Sequence, residues 1–139
     1  MKKFIRLLIC LFFILTIEQA MAVVNMRVVS GSRIALTPGV DLVRQTVSNL
    51  VIDADQPYTV QLSDQNGGIL VMGYHSIPYR VSYNDNIEVK LGANPTMVES
   101  APSVTNGNRT IAVTVLGTDT ARVAAGDYHS TMMLTITAF

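Results

Sequence analysis

The sequence predicts an all-β protein, an antiparallel sandwich of short strands. Two observations carry that expectation. Nearly every segment after residue 22 alternates apolar and polar residues with period two or is rich in β-branched residues. Between these segments, Gly, Asn, Asp and Pro gather at turn spacing. A third observation is negative: no segment there repeats its apolar residues with the helical period.

The N-terminus reads differently. Lys2, Lys3 and Arg6 precede an apolar run that ends at Ile17, and Ala20-Met21-Ala22 supplies a small-x-small cleavage pattern. Residues 1–22 are therefore expected to be a secretory signal peptide, with the mature chain starting at Val23. The apolar run is too short and too close to the N-terminus to be preferred as a permanent span, so the mature chain is expected to have no membrane span. Cys10 sits inside that run without a small residue before it, which argues against lipoprotein processing. It is the only cysteine of the 139 residues, so no disulfide is available to the exported domain. Its stability must come from packing and sheet pairing. Seven basic and nine acidic residues remain after residue 22, a net charge of −2, with no basic cluster. That balance excludes nucleic acid as an expected partner.

Taken in order, the mature segments read as follows. Val24, Met26 and Val28 alternate with Asn25 and Arg27. Thr46 to Ile52 is a β-branched run closed by the turn-prone Asp53-Ala54-Asp55-Gln56-Pro57. Tyr58, Val60 and Leu62 alternate with Thr59, Gln61 and Ser63, and Asn66-Gly67-Gly68 closes that strand. Ile77, Tyr79, Val81 and Tyr83 alternate with Arg80 and Ser82 up to Asn84-Asp85-Asn86, and Ile87, Val89 and Leu91 form a further short strand. Gly92 to Asn108 carries Pro95, Pro102 and Gly107 without sustained alternation and is expected to be a long surface loop. Ile111, Val113 and Val115 resume the alternation. After Gly126-Asp127-Tyr128, the face of Tyr128, Met132, Leu134 and Ile136 alternates with Thr131, Thr135 and Thr137 up to Phe139. The sequence stops there, so the outer edge of this strand is expected to be solvated or paired with another molecule.

No catalytic constellation is present. His75 and His129 lack partners at metal-ligand spacing, with His75 in a turn and His129 on the polar face of the last strand. Asp53 and Asp55 beside Pro57 read as a turn device. Asn66-Gly67-Gly68 has no following helix, which separates it from a phosphate loop. Asn108-Arg109-Thr110 matches a glycosylation acceptor triplet and nothing more. Tyr58, Tyr74, Tyr79, Tyr83 and Tyr128 read as core or turn residues before they read as a sugar platform. The expectation is a protein that is not an enzyme, with no metal and no cofactor.

Three stretches in this order resemble the secreted spore coat protein U domain, which belongs with the pilin subunits of chaperone–usher systems, particularly the archaic type. They are Pro57 to Ser63, Ile77 to Asp85, and Ala124 to Phe139 with its closing Gly-x-Tyr and Thr-Ile-Thr-aromatic pattern. The similarity spans about residues 43–139; colonisation-factor pilins of the alternate class end in a similar way. Members of the spore coat U family usually carry a disulfide near the first strands, which this mature chain lacks. The resemblance implies an immunoglobulin-like sandwich of six strands lacking its seventh. A periplasmic chaperone lends the missing strand, and the N-terminal extension of another subunit replaces it at an outer-membrane usher.

On that basis residues 37–139 are the expected pilin-like domain and residues 23–36 a possible donor strand or extension. Val24, Met26 and Val28 would enter a neighbour's groove. Met132, Leu134, Ile136 and Phe139 would form the acceptor groove and chaperone contact. The expected function is a structural fimbrial subunit, exported to the periplasm and then the cell surface and polymerised with other pilin subunits. The alternative is a secreted β-sandwich adhesin or carbohydrate-binding module. A tip subunit would lack a usable N-terminal donor.

Overall fold

A strand's register decides which of its two alternating side-chain sets is buried, so the pairing explains the core. The computed structural model describes residues 24–31 and 34–139; the expected signal peptide, residues 1–22, lies outside the described residues. In chain order the elements are β1 (Val24–Gly31), β2 (Leu42–Ala54), β3 (Tyr58–Asp64), β4 (Ile69–Met72), β5 (His75–Pro78), β6 (Arg80–Tyr83), β7 (Thr96–Ala101), β8 (Val104–Val115), a single helical turn α1 (Gly117–Thr120) and β9 (Met132–Ala138). All pairings are antiparallel. One sheet has the order β1-β2-β8-β6, a second β7-β3-β9, and β4 pairs with β5 as a separate hairpin. The fold is an all-β antiparallel sandwich.

The core lies between the two larger sheets. Leu50 and Ile52 of β2, Val81 and Tyr83 of β6, and Ile111 and Val115 of β8 meet Tyr58, Val60 and Leu62 of β3 in one buried cluster, joined by Ile77, Tyr79 and Leu91. The sets from β3, β6 and β8 match the phase read from the sequence, whereas β2 was read only as a β-branched run. Burial of large side chains at about 1.5–3 kcal/mol apiece makes this cluster the main favourable term for a chain without disulfides. Asn84 and Asp85 both take positive φ, the conformation that a tight turn after β6 requires.

Four local expectations change. Thr96–Ala101 forms β7 inside the segment expected to be a loop, and β8 already begins at Val104. The alternation was hidden by a register shift between Val60 and Gln61, which turns both Val98 and Glu99 inward. Ile87 to Leu91 makes no strand; Val89 bridges Val81 singly and Ile87 is 85% exposed, although Leu91 is buried. The run from Ile77 to Tyr83 is divided between β5 and β6, because Pro78 cannot donate to a ladder. Tyr128 and His129 precede β9 instead of lying on it, with His129 bridged to Val71. With the hairpin and β7 added, the described residues hold nine strands against the six expected.

The side of the sandwich formed by β6, β7 and β8 is tied across by one polar network. Glu99 on β7 accepts hydrogen bonds from the Tyr58 hydroxyl at 2.8 Å and the Tyr83 hydroxyl at 2.6 Å. Arg109 on β8 reaches the same carboxylate through Nε and a terminal nitrogen, the latter at 2.7 Å, and also donates to the Tyr58 oxygen at 3.0 Å. Two residues come from each sheet, so the network bridges the core. Burial by itself would raise the Glu99 pKa, but hydrogen bonds from Arg109, Tyr83 and Tyr58 outweigh it and hold the carboxyl below its ordinary value. Burial, followed by the Glu99 hydrogen bond and charge, pushes Tyr83 and Tyr58 upward.

The Glu99 contribution to stability is therefore complete above the ordinary glutamate pKa of about 4.3 and is lost as pH falls through the lower folded-state value. Urea unfolding is expected to show a stability decrease confined to the region below about pH 4.3. Glu99→Gln should flatten that acid limb. Arg109→Ala, which leaves Glu99 buried without its cation, should cost about 3 kcal/mol at neutral pH; a loss under about 0.5 kcal/mol would place the network among ordinary surface pairs.

Candidate functional site

The alternation of β9 sets the geometry of the open side. Met132, Leu134 and Ile136 face the core, while Met133, Thr135 and Thr137 face outward. Tyr58↔Ala138, Val60↔Ile136, Leu62↔Leu134 and Asp64↔Met132 define its register on β3. The Gln65 amide donates to the Thr131 carbonyl at 3.0 Å and the Phe139 amide to the Pro57 carbonyl at 3.0 Å. In an antiparallel ladder these two bonds fix the rest. The odd-numbered residues of β9 bond to β3, and the backbone groups of Met132, Leu134 and Ile136 point away from it. Among the described residues no strand pairs with that outer edge.

The inner face of β9 is correspondingly unfinished. Met132, Leu134 and Ile136 are half-buried, whereas their partners Val60 and Leu62 on β3 are completely buried. Across the opening stands β1, the edge of the other sheet, which approaches β9 without a ladder between them. At the Met132 end the two sheets enclose an apolar groove of about 740 Å³. Val47 from β2, Val113 and Val115 from β8, Leu70 from β4, and Leu36 and Val123 from the connecting segments form its walls with Tyr128 and Met132. An apolar channel of this size beside an unpaired strand edge can take an extended peptide. The peptide would gain main-chain hydrogen bonds from β9 and bury every second side chain.

The structure brings some of the expected site residues together and separates others. Met132 lines the groove, and Leu134 and Ile136 continue the same face along β9 beyond it. Phe139 is 69% exposed on the opposite phase and its amide is bonded to Pro57, so neither its ring nor that amide faces the groove. Val24, Met26 and Val28 lie in β1, in register with Ala54, Ile52 and Leu50 of their own chain. Val24 is half-buried against the core and Met26 is 41% exposed; the Val28 side chain lies outside the described residues. The groove wall formed by Val47, Val113 and Val115 was visible in the sequence only as β-branched runs. Nothing in one strand's pattern says that its facing strand is missing.

Other candidates disperse. Tyr58, Tyr79 and Tyr83 are buried, Tyr128 is half-buried with its hydroxyl on the Ala124 carbonyl, and Tyr74 is fully exposed at the β4–β5 turn, so the tyrosines form no shared platform. Burial, then the nearby Asp64 charge, pushes the Tyr79 hydroxyl up to about 12. Asp53 lies inside β2 and its carboxylate accepts the backbone amide of Asn106 on the paired strand β8 at 2.6 Å, so it ties two strands where a turn device was expected. Among the described residues no cluster of His, Cys, Asp or Glu could hold a metal ion, and no helix is long and apolar enough to cross a membrane. No family model, curated protein or solved structure matches the chain.

The groove makes a measurable distinction between half-buried Val47 and fully buried Val81. Val47→Phe adds volume where space exists and is expected to stabilise the chain by about 0.5–2 kcal/mol. Val81→Phe, in the fully packed core, should cost about 1–3 kcal/mol. Thermal unfolding of both variants checks this; equal destabilisation would mean that the groove is filled in solution.

Proposed function

We propose that this protein is a structural fimbrial subunit, exported to the periplasm, held there by a chaperone that supplies a strand beside β9, and polymerised at an outer-membrane usher by strand exchange with other pilin subunits. The observation that carries this reading is the unpaired edge of β9 next to the apolar groove. Exposed apolar surface and unpaired backbone groups are both costly to leave open, and one added strand satisfies both. The resemblance of the closing strand to the spore coat U and pilin pattern gives the same direction. In this reading residues 23–29 are the donor, with Val24, Met26 and Val28 entering a neighbour's groove and Asn25 and Arg27 in water.

The home pairing of β1 with β2 favours one second reading. A donor must first leave its own sheet, whereas a subunit at a fibre tip only accepts a strand. An adhesin at the tip is therefore the alternative, and Met26→Asp separates the two. The substitution puts an unpaired charge into the neighbour's groove, at a cost of several kcal/mol, and leaves the mutant's own groove intact.

Electron microscopy of cells with and without the gene should show surface fibres that depend on it. Cells producing Met26→Asp should accumulate chaperone-bound subunit and lack those fibres. Leu134→Asp with Ile136→Asp should abolish chaperone capture and lead to degradation. Wild-type fibres from Met26→Asp would move the donor elsewhere or place the subunit at the tip. Absence of any fibre or chaperone complex from wild-type cells would sink the fimbrial reading.

A further inference from the structure

Asp64 is the one charged side chain among the described residues that is completely buried, and the groove as described above makes no use of it. The sequence explains its position: Tyr58, Val60 and Leu62 fill the inner phase of β3, and Asp64 is the next residue in that phase. A carboxylate removed from water is costly unless donors surround it. Here they do. The Gly68 amide donates to Oδ2 at 2.5 Å and the Ser130 hydroxyl donates to Oδ1, with the Tyr79 hydroxyl close enough to feel both groups. Asn66 Nδ2 adds a bond to the Ser130 oxygen at 3.3 Å. No ion pair to Asp64 is present among the described residues.

The donors come from three separate stretches. Gly68 belongs to the turn after β3, and Tyr79 precedes β6 with its amide on the Gly68 carbonyl at 3.1 Å. Ser130 lies two residues before β9. Tyr79 and Ser130 both line the groove, between Tyr128 and Met132 on one side and Ile77 on the other. The backbone of the approach to β9 is otherwise held by the bridge between His129 and Val71 and by the Gln65 amide on the Thr131 carbonyl.

We propose that Asp64 is the positioning residue of the groove: by gathering Gly68, Tyr79 and Ser130 around one carboxylate it fixes the Tyr128–Met132 segment in the shape that receives a partner strand. The effect on strand binding rests on the function proposed above; the fixing of the segment does not. Asp64 touches no partner itself and acts through Ser130 and Tyr79.

Amide hydrogen exchange and peptide binding separate these parts. Exchange is read at Gln65, Gly68, Val71 and His129 near the carboxylate, and at Val81, Asn84 and Val89 far from it. Asp64→Asn and Ser130→Ala are expected to speed exchange at the near amides by about tenfold or more and at the far ones by less than about twofold. Ser130→Thr, which keeps the hydroxyl, should restore the wild-type rates. A peptide of residues 23–36 should bind Asp64→Asn and Ser130→Ala about tenfold more weakly than wild type. Ile111→Val, a core change elsewhere, should leave its affinity unaltered. If Asp64→Asn fails to fold, Ser130→Ala with its Thr rescue carries the test. Uniform acceleration at near and far amides, or none, would overturn the positioning role. Failure of the peptide to bind the wild type would instead overturn the strand-accepting function and leave the exchange pattern standing.

Discussion

Among the described residues the last strand of the sandwich has a neighbour on one side only, and the remaining features follow from that. β3 satisfies half of the backbone groups of β9 and the core half-covers Met132, Leu134 and Ile136. The other half of the strand faces a gap. A sheet edge can be solvated without much cost, but an edge bordered by apolar groove walls cannot be fully wetted. The described residues therefore carry an open β9 edge that meets an apolar groove at its Met132 end.

Such a gap is tolerable only if the sandwich does not collapse into it. The Glu99–Arg109–Tyr58–Tyr83 network ties the sheets on the side of β6, β7 and β8. It fixes the sheet spacing where no disulfide exists, and the core between Ile52, Leu62 and Val81 transmits that spacing towards the open side. On the open side β1 is attached to β2 alone, with Met26 still 41% exposed. Of its described side chains, Val24 is half-buried and Asn25, Met26 and Arg27 are exposed. A position that buried its inner face on both sides would hold it more tightly, which is the physical basis of the strand exchange proposed above.

Period-two alternation located β1, β3, β8 and β9 and the apolar face of each, because half-buried strands write that pattern directly, while β2 showed only as a β-branched run. It failed where the backbone slips. The register shift opposite Val60 concealed β7, and Pro78 split one apparent strand between two sheets. The candidate site was legible in part: the face of Met132, Leu134 and Ile136 was visible, while the opposing wall of Val47 and Val113 required the three-dimensional pairing. The two polar anchors had a signal that alternation alone does not interpret. Asp64 follows Leu62 in the inner phase, and Arg109 precedes Ile111 in the inner phase, so each is a charge on an apolar face. Partners for such residues come from other segments of the chain, Glu99 for Arg109 from the preceding strand β7 and Ser130 for Asp64 from the connection before β9.

The central claim is that the outer edge of β9 is open in the subunit and filled in the assembled form. Residue-resolved amide exchange tests it most directly. In the isolated chain, the amides of Met132, Leu134 and Ile136 should exchange rapidly while those of Met133, Thr135 and Thr137 are protected, and in the fibre both sets should be protected. Protection of Met132, Leu134 and Ile136 in the isolated chain, or their continued rapid exchange in the fibre, would contradict the account.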